Sequence, residues 1–499
     1  MNKKIVIIII CLGAALTACG SYKDILRHYQ HLSGAAIDGG TEQVENGTNK
    51  DLATPSSAMG EIVSGSGIHS AENVTFDMQT AQYWIDRMNT PDKVLAGKED
   101  IGKLNKDLKG RFVQQFDSVL YDLDLYDGST PGYRLKEWME ESRFPLKPYY
   151  CSGEQLSAEK WQAYYQNCNY DGIADYNKVR YGVICERADV RALPTGDVIS
   201  EEPDAGADDI LQNTALAINE PVLILHESRD HEWYFVLAEE YKGWIPKKTA
   251  GVAKNRDAWQ GDKFLVVTAD RIYTKEIPGD ELSGNYEFTM GTKLFLAENA
   301  SWRDNGQNNR EGGVYDSYVV KVPVRNSDGS LWYKLLSIPL GKDVTVGYME
   351  YTRANVVRQA FKMLGNPYGW GGAAGERDCS SLIRDVYLCF GIRLPRDSSG
   401  LYHMSENVFT EDIKAISRST NVKGLSEKEK IQKLMGAEPG AILQMPGHVM
   451  LYLGCENKNY YVLSARGGQF RRVMVNDLHA MTEDGKTWAE QLEAIISCY

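Results

Sequence analysis

The sequence lacks the cysteine and histidine spacings that mark a structural metal site. Its nine cysteines and eight histidines are scattered over 499 residues, with no C-x-x-C pair and no mixed cluster. Zinc sites in proteins use such ligands at short, recurring spacings. A structural metal site is therefore not predicted.

The chain also lacks an excess of positive charge. It has 55 Lys and Arg against 68 Asp and Glu, which gives a formal net charge of -13. Binding to nucleic acid phosphates and adhesion to anionic lipid both need basic surfaces. Nucleic acid is therefore not an expected partner, and membrane attachment is expected to depend on acyl chains.

The apolar run at the N-terminus, residues 5–16, is shorter than the roughly 17 to 20 residues that a membrane-spanning helix needs. Lys3 and Lys4 precede this run, and small residues and a cysteine follow it. This order is typical of a bacterial export signal with a lipobox. Residues 1–19 are predicted to be that signal, with Cys19 as the lipidated residue. A short transmembrane anchor is the alternative.

The residue after the lipobox bears on the expected location of the protein. Gly20 follows Cys19, and it is not the aspartate that retains lipoproteins in the inner membrane. We therefore expect a protein of the cell envelope that is lipid-anchored on the periplasmic side of the outer membrane. In such a compartment disulfides can form.

Seven cysteines remain after Cys11 and Cys19 are set aside with the predicted signal. Because seven is odd, at least one thiol is expected to stay free. Cys151 and Cys168 are close enough in sequence to pair, but the sequence does not decide whether they do.

Composition and periodicity divide the rest of the chain into five segments. Residues 20–70 are rich in Gly, Ser, Thr and Asn, which predicts a flexible tether. Apolar residues at helical spacing predict a mostly helical N-terminal domain over 71–178. Short β-rich runs separated by turns resemble two SH3-like barrels, at 179–250 and 251–345. Residues 346–499 place helices before strands, so the predicted fold class is multidomain α+β.

Cys379 stands where a helix is expected to begin, because Asp378 can cap a segment with apolar residues on one face. Backbone N–H groups at a helix start favour a thiolate and can hold an oxyanion. A lowered pKa and a nucleophilic role are therefore expected for Cys379. A buried structural cysteine is the alternative.

His448 lies at the start of a strand with alternating apolar residues, in the same segment as Cys379. A single histidine on a strand is more often structural than catalytic. An imidazole within hydrogen-bond reach of a thiol can nevertheless take its proton and return it to a leaving amine. The combination with a cysteine at a helix start favours a role as general base.

Four motifs in this order resemble the NlpC family of papain-like cell-wall peptidases: NPYGWGG at 366–372, DCSS at 378–381, LPRDS at 394–398 and GHVMLYLG at 447–454. The resemblance covers roughly the last third of the chain. The upstream arrangement is similar to the γ-D-glutamyl-L-diamino acid endopeptidase branch. Such enzymes cleave the amide after γ-D-Glu in peptidoglycan stem peptides, and the resemblance implies no metal or organic cofactor.

The resemblance also implies roles for single residues. Cys379 would be the nucleophile, and His448 the general base and then the general acid. Asp378 would bind the free amine of an N-terminal L-Ala, with Ser380 and Ser398 lining the pocket. These last three also fit structural roles, as a helix cap, a first-turn polar residue and a turn former. A free-amine requirement would direct the enzyme to wall fragments already cut from the glycan.

Two further positions follow from the resemblance. The first barrel would contribute an aromatic residue near the substrate amine, for which Tyr241 is the first candidate and Tyr234 the second. The family usually places a histidine behind the base, whereas this chain has Ser464 at the matching position. A serine can accept the imidazole N–H bond but carries no charge, and Gln444 is a possible substitute.

The serine at this position motivates an alternative from another class of protein. In that alternative the chain is a wall-binding or scaffolding lipoprotein whose peptidase domain has lost activity. A papain-like acyltransferase is the second alternative. The sequence does not indicate whether diaminopimelate or lysine occupies the third stem position, or whether the chain self-associates.

Overall fold

The computed structural model describes residue 71 and residues 73–499, except for 116–119, 127, 142–143, 145–146, 204–207, 262, 298–315, 407–418, 469 and 483. The predicted signal, Cys19 and the predicted tether lie outside the described residues. Within the part that is described, no helix is both long and apolar enough to cross a membrane.

The region before the first barrel is mainly helical. Its helices are α1 (Ala81–Ile85), α2 (Lys98–Gln115), α3 (Gly132–Glu140) and α4 (Ala158–Asn167). Its short strands are β1 (Val94–Ala96), β2 (Ser129–Pro131), β3 (Tyr150–Cys151), β4 (Glu154–Gln155) and β5 (Tyr176–Lys178). The side chains of Thr80 and Ser157 accept backbone N–H groups at the starts of α1 and α4, as helix caps do.

This region is divided between two hydrophobic cores. Trp84 packs with the C-terminal domain, where its ring centroid is 5.2 Å from that of Tyr461. Trp138 instead shares a core with Trp244 of the first barrel. The segment 71–178, predicted as a mostly helical N-terminal domain, thus shares its apolar residues between two cores. Its short amphipathic helices bury their apolar faces against the larger neighbouring domains.

The described residues of the first barrel form eight strands. They are β6 (Arg180–Ile184), β7 (Ala188–Arg191), β8 (Ile199–Ser200), β9 (Gln212–Leu216), β10 (Pro221–Glu227), β11 (Trp233–Leu237), β12 (Lys242–Pro246) and β13 (Ala250–Ala253). Seven of them form one sheet in the order β13-β6-β10-β11-β12-β7-β9, and β8 pairs with β3.

The second β domain has a sheet of five strands in the order β19-β18-β17-β14-β20 and a separate pair, β15 and β16. Their bounds are β14 (Phe264–Val267), β15 (Arg271–Tyr273), β16 (Glu287–Thr289), β17 (Lys293–Leu296), β18 (Ser317–Arg325), β19 (Leu331–Pro339) and β20 (Val344–Val346). The NSDG sequence at 326–329 predicts a hairpin between two strands. This is confirmed, since β18 and β19 pair along their whole length around it.

The C-terminal domain places helices against a six-stranded antiparallel sheet of order β22-β27-β23-β24-β25-β26. Its strands are β21 (Tyr351–Thr352), β22 (Thr420–Asn421), β23 (Ile442–Met445), β24 (His448–Glu456), β25 (Asn459–Arg466), β26 (Arg472–Asp477) and β27 (Ala494–Ile496). Its helices are α5 (Arg353–Phe361), α6 (Cys379–Leu388), α7 (Ser398–His403), α8 (Glu427–Leu434) and α9 (Trp488–Gln491). The predicted cap Asp378 is confirmed, Thr352 caps α5 in the same way, and the multidomain α+β class is correct.

A glycine-rich turn just before α6 packs against the first barrel. Gly371 has a φ of +57°, and a Cβ there would lie 2.6 Å from the carbonyl oxygen of Gln212 in β9. At Gly372, with a φ of +82°, a Cβ would lie 2.9 Å from the guanidinium of Arg187. Both positions therefore need glycine, because the barrel approaches the backbone too closely for a side chain.

All seven cysteines among the described residues are free thiols. The pairing of Cys151 with Cys168, which the sequence left open, does not form. Cys168 is buried, whereas Cys151 is partly exposed beside Lys160.

Candidate active site

Cys379 is the first residue of α6, as the sequence predicted, and its side chain is buried against the start of β24. Burial raises the pKa of the Cys379 thiol to about 12, and the Asp378 charge acts in the same direction. A hydrogen bond from the Val449 backbone N–H and the charge of Arg396 oppose this rise. The expected lowering of the pKa is therefore not found, since the loss of water around a thiolate outweighs the donors at the helix start.

His448 and Ser464 form a hydrogen-bonded pair in the C-terminal domain. The His448 Nε2 atom lies 3.2 Å from the Ser464 Oγ atom. Burial lowers the pKa of His448 to about 4, and the charge of Arg466 adds to the lowering. Gln444 does not take this place, because its side-chain amide donates to the Met445 carbonyl. The Val449 backbone N–H, one residue after His448, bonds the thiol, so the start of β24 lies beside Cys379.

The thiol and the imidazole are both neutral over most of the physiological pH range. Their pKa values of about 12 and about 4 leave Cys379 protonated and His448 unprotonated at neutral pH. Such a pair can react only if the imidazole removes the thiol proton as the sulfur attacks. The arrangement fits general-base catalysis and not a resting thiolate–imidazolium pair.

Asp378 is part of a buried charge network beneath the nucleophile. Its carboxylate forms a bidentate pair with Arg396, with Nη1–Oδ1 and Nη2–Oδ2 distances of 3.1 and 2.7 Å. Burial raises the pKa of Asp378, but Arg396 more than offsets this effect, and the pKa ends below its usual value. The Ser380 hydroxyl donates to Asp378 and accepts from Arg396. Arg396 also donates to the Thr214 hydroxyl of the first barrel, at 2.6 Å.

This network bears on the role expected for Asp378, which is to bind the free amine of the substrate. Its charge is already compensated by a guanidinium, and its oxygens also accept the backbone N–H groups of Gly371 and Ser381. A substrate ammonium would have to displace a buried bidentate pair, at a high cost in free energy. Asp378 and Ser380 therefore lie in a buried supporting network, and an amine-binding role for them would require this pair to break.

A different carboxylate lies beside the predicted aromatic residue of the first barrel. Burial raises the pKa of Tyr241 to about 12, and the charge of Asp397 is the next contribution. Asp397 is exposed, caps α7 through the Gly400 N–H, and has no cation partner among the residues that the structure describes. Ser398, the first residue of α7, follows it directly. Tyr234, the second candidate, is 2% exposed in the barrel core.

Two residues near this site, Asp397 and Tyr368, were not predicted from the sequence. Tyr368 lies in the glycine-rich motif, and after burial the charges of Cys379 and Asp378 contribute most to raising its pKa. Asp397 stands next to Arg396 in the LPRDS motif. Both residues lie inside motifs that resemble the family, but roles were predicted only for neighbouring residues. Their position in these motifs is the signal that could have identified them.

Two segments of the chain match family models. Residues 365–481 match the NlpC/P60 family, and residues 202–246 match the SH3 domain of SH3b1 type. The first match contains Cys379, His448 and Ser464, and the second contains Tyr241 and Thr214.

Curated relatives match only parts of the chain. A protein named as a probable endopeptidase in Mycobacterium bovis is 42% identical over 62 residues, which are 12% of this chain and 16% of that protein. Dipeptidyl-peptidase 6 of Lysinibacillus sphaericus is 33% identical over 127 residues, which are 25% of this chain and 36% of that protein. The chain thus spans well under half the length of either relative.

The similarity of fold extends much further than the similarity of sequence. A solved NlpC/P60 endopeptidase from Photobacterium damselae subsp. piscicida superposes with a TM-score of 0.63 at 17% identity. The superposition covers 83% of this chain and 96% of that chain. The protein therefore combines an SH3 domain of SH3b1 type with an NlpC/P60 domain, in a multidomain fold shared with that structure.

Proposed function

We propose that the protein is a cysteine endopeptidase that hydrolyses the amide between γ-D-Glu and the diamino acid of peptidoglycan stem peptides. The observation that carries this proposal is the grouping of Cys379 at the start of α6 with the bonded pair His448 and Ser464. The match of this segment to the NlpC/P60 family supports it.

The geometry supports a thioester mechanism. As the Cys379 sulfur attacks the carbonyl carbon of the γ-linked amide, the thiol proton moves to His448. The tetrahedral intermediate then collapses, the C–N bond breaks, and His448 gives the proton to the leaving amine. A water molecule then attacks the thioester and gives a proton to His448, the C–S bond breaks and the acid is released, and His448 returns the proton to the Cys379 sulfur. Ser464 holds the ring in position through Nε2 but supplies no negative charge to the imidazolium.

We further propose that the enzyme selects peptides with a free N-terminal L-Ala. The charge of Asp397, in the C-terminal domain, acts on Tyr241 of the first barrel and helps to raise the pKa of its hydroxyl. An ammonium placed between them would gain a charge-assisted hydrogen bond to the exposed carboxylate. Asp397 replaces Asp378 in this role, because Arg396 already neutralises Asp378. The relative named dipeptidyl-peptidase 6 fits recognition of a nearby N-terminus.

The test uses the tripeptide L-Ala-γ-D-Glu-L-Lys and its N-acetylated form, with products followed by mass spectrometry. Wild-type protein is expected to release L-Ala-γ-D-Glu, and Cys379→Ala to lose at least about 1000-fold of the rate. Cys455→Ala is the matched control, since this cysteine is exposed on the far end of β24. Acetylation is expected to slow cleavage about 100-fold.

Two outcomes would contradict the proposed function. Equal dipeptide release by wild type and Cys379→Ala would exclude the peptidase and favour the scaffolding alternative. Transfer of an acyl group between lipids without peptide turnover would favour the acyltransferase. Equal cleavage of the free and acetylated peptides would contradict only the proposed amine specificity.

We also propose that the protein is lipid-anchored at Cys19 in the cell envelope, on the periplasmic side of the outer membrane. The support is the order of Lys3, Lys4, the apolar run and the cysteine. Labelled palmitate is expected to enter the wild-type protein and not a Cys19→Ser variant. Label in both proteins, or recovery of wild type in the inner-membrane fraction, would contradict the anchor or the location respectively.

A further inference from the structure

Arg466 ends β25, two residues beyond Ser464, and its side chain lies against two aromatic rings. Its Cζ atom is 4.2 Å from the ring centroid of Phe470 and 4.9 Å from that of Trp488. The residue is half-buried, and its guanidinium has neither an ion-pair nor a hydrogen-bond partner among the described residues. The cation is therefore held in place by stacking alone.

Other arginines of the C-terminal domain show how unusual this is. Arg377, Arg384 and Arg396 are each buried against a carboxylate, at 2.7, 3.1 and 2.7 Å respectively. A half-buried guanidinium without an anion has lost water and gained no hydrogen bond in return. Its planar fork is suited to bidentate binding of a carboxylate. The Arg466 guanidinium is therefore suited to bind a carboxylate.

The position of Arg466 connects it to the catalytic base. The Trp488 ring that stacks on Arg466 also lies 5.3 Å, centroid to centroid, from the His448 ring. Residues two apart on a strand point to the same face, so Arg466 and Ser464 share a face of β25. Ser464 bonds His448 on that face. An anion on Arg466 would therefore lie beside the reacting groups.

We propose that Arg466 binds a carboxylate of the substrate next to the scissile amide. The inference rests on the proposed function and names a contact within it. Two carboxylates flank the bond in a stem peptide: the α-carboxylate of γ-D-Glu on the acyl side and that of the diamino acid on the leaving side. Either one would neutralise Arg466 and so offset the part of the lowering of the His448 pKa that the Arg466 charge adds to burial.

The experiment compares three tripeptides: L-Ala-γ-D-Glu-L-Lys, the form with γ-D-isoglutamine, and the form with L-lysinamide. Arg466→Gln is expected to lower kcat/KM about 30-fold for the first peptide. The loss of kcat/KM in Arg466→Gln should disappear for one of the two amide peptides, namely the one that lacks the carboxylate bound by Arg466. Arg466→Lys should restore part of the rate. A similar loss for all three peptides would overturn the inference.

Arg472→Gln is the matched control. Arg472 pairs with Arg466 across β25 and β26, but it is exposed and donates to the Gly365 carbonyl. Its replacement should leave kcat/KM within about twofold for every peptide. A loss equal to that of Arg466→Gln would show that general positive charge matters, and it would contradict a specific carboxylate site.

The pH profile is a readout that a merely structural role would not change. The charge of Arg466 contributes to the lowered pKa of His448. A base with a lowered pKa stays unprotonated to lower pH, so the acid limb of kcat/KM should move to higher pH in Arg466→Gln. An unchanged limb would contradict the proximity of the two groups.

Binding measurements separate this inference from the proposed function. Calorimetry on Cys379→Ala measures affinity for the three tripeptides without turnover. Suppose that wild type cleaves none of the peptides, but Arg466→Gln in the Cys379→Ala protein weakens binding only of the peptides that keep the carboxylate. The inference then stands and the proposed function fails. If Arg466→Gln leaves every affinity unchanged, the inference fails whatever is cleaved. If the peptides are neither cleaved nor bound, both fail.

Discussion

The two β domains both contact the C-terminal domain near the start of α6, but they contact different side chains. The first barrel contacts Arg396 through Thr214 and brings Tyr241 to Asp397. The second β domain contacts Arg377, one residue before the Asp378 cap, through Asp270. The first barrel therefore borders the groups that would meet a substrate, whereas the second supports the backbone behind them. The two β domains thus contact the C-terminal domain at different places, the first beside the groups proposed to bind substrate and the second beside the cap of α6.

The largest effect is expected for Arg396→Leu, which cuts the link between the first barrel and the nucleophile. The side chains of Arg396 and Asp378 are 4% and 10% exposed. Removing one partner of such a buried pair costs about 3 to 5 kcal/mol in the free energy of unfolding. Urea unfolding measures this loss, which should shrink as the pH falls and Asp378 takes up a proton.

A double variant provides the control for Arg396→Leu. Adding Asp378→Asn removes the uncompensated charge and should recover part of the lost stability. An unchanged urea midpoint in the single variant would show that the pair contributes nothing and that the first barrel is not coupled to α6 in this way.

A smaller effect on stability is expected for Asp270→Asn in the second β domain. Asp270 is 25% exposed, and Arg377 keeps its other partner, Asp385, at 2.7 Å. We expect a loss of about 1 to 2 kcal/mol in urea unfolding. Because this domain supports the backbone only, KM for the tripeptide should stay within about twofold. A large rise in KM would break the proposed division of roles.

Tyr241→Phe tests the binding role of the first barrel. Loss of the hydroxyl is expected to raise KM for the free-amine tripeptide about tenfold, since a hydrogen bond to a charged group is lost. Cleavage of the N-acetylated peptide should not change. Tyr234→Phe is the matched control, because Tyr234 lies in the barrel core. Equal effects of the two variants would point to barrel stability and not to amine binding.

The smallest effect is expected for Asp208→Asn. Asp208 of the first barrel forms an ion pair with Arg471 at 3.2 Å, and the two side chains are 38% and 36% exposed. Water screens such a pair, so the loss should be below about 1 kcal/mol and should vanish near 1 M salt. A larger or salt-independent loss in urea unfolding would show that this contact matters more than its exposure suggests.

Local sequence patterns predicted local structure well. Asp378 caps a helix as expected, and the 326–329 turn joins two strands, because each depends on residues only a few positions away. Helix α8 was not predicted, since its charged residues mask a short apolar face. The division of 71–178 between two cores could not be predicted, because it depends on which distant surfaces the helices meet.

The sequence by itself determined the candidate nucleophile and base. Cys379 must begin a helix once Asp378 caps it, and His448 must begin a strand that runs back along that helix. Only the tertiary structure decided what the charges beside them do. Asp378 meets Arg396, while Asp397 and Arg466 are left without a counter-ion among the described residues. Helix capping is a local property, whereas the neutralisation of a charge depends on residues brought together from distant parts of the chain.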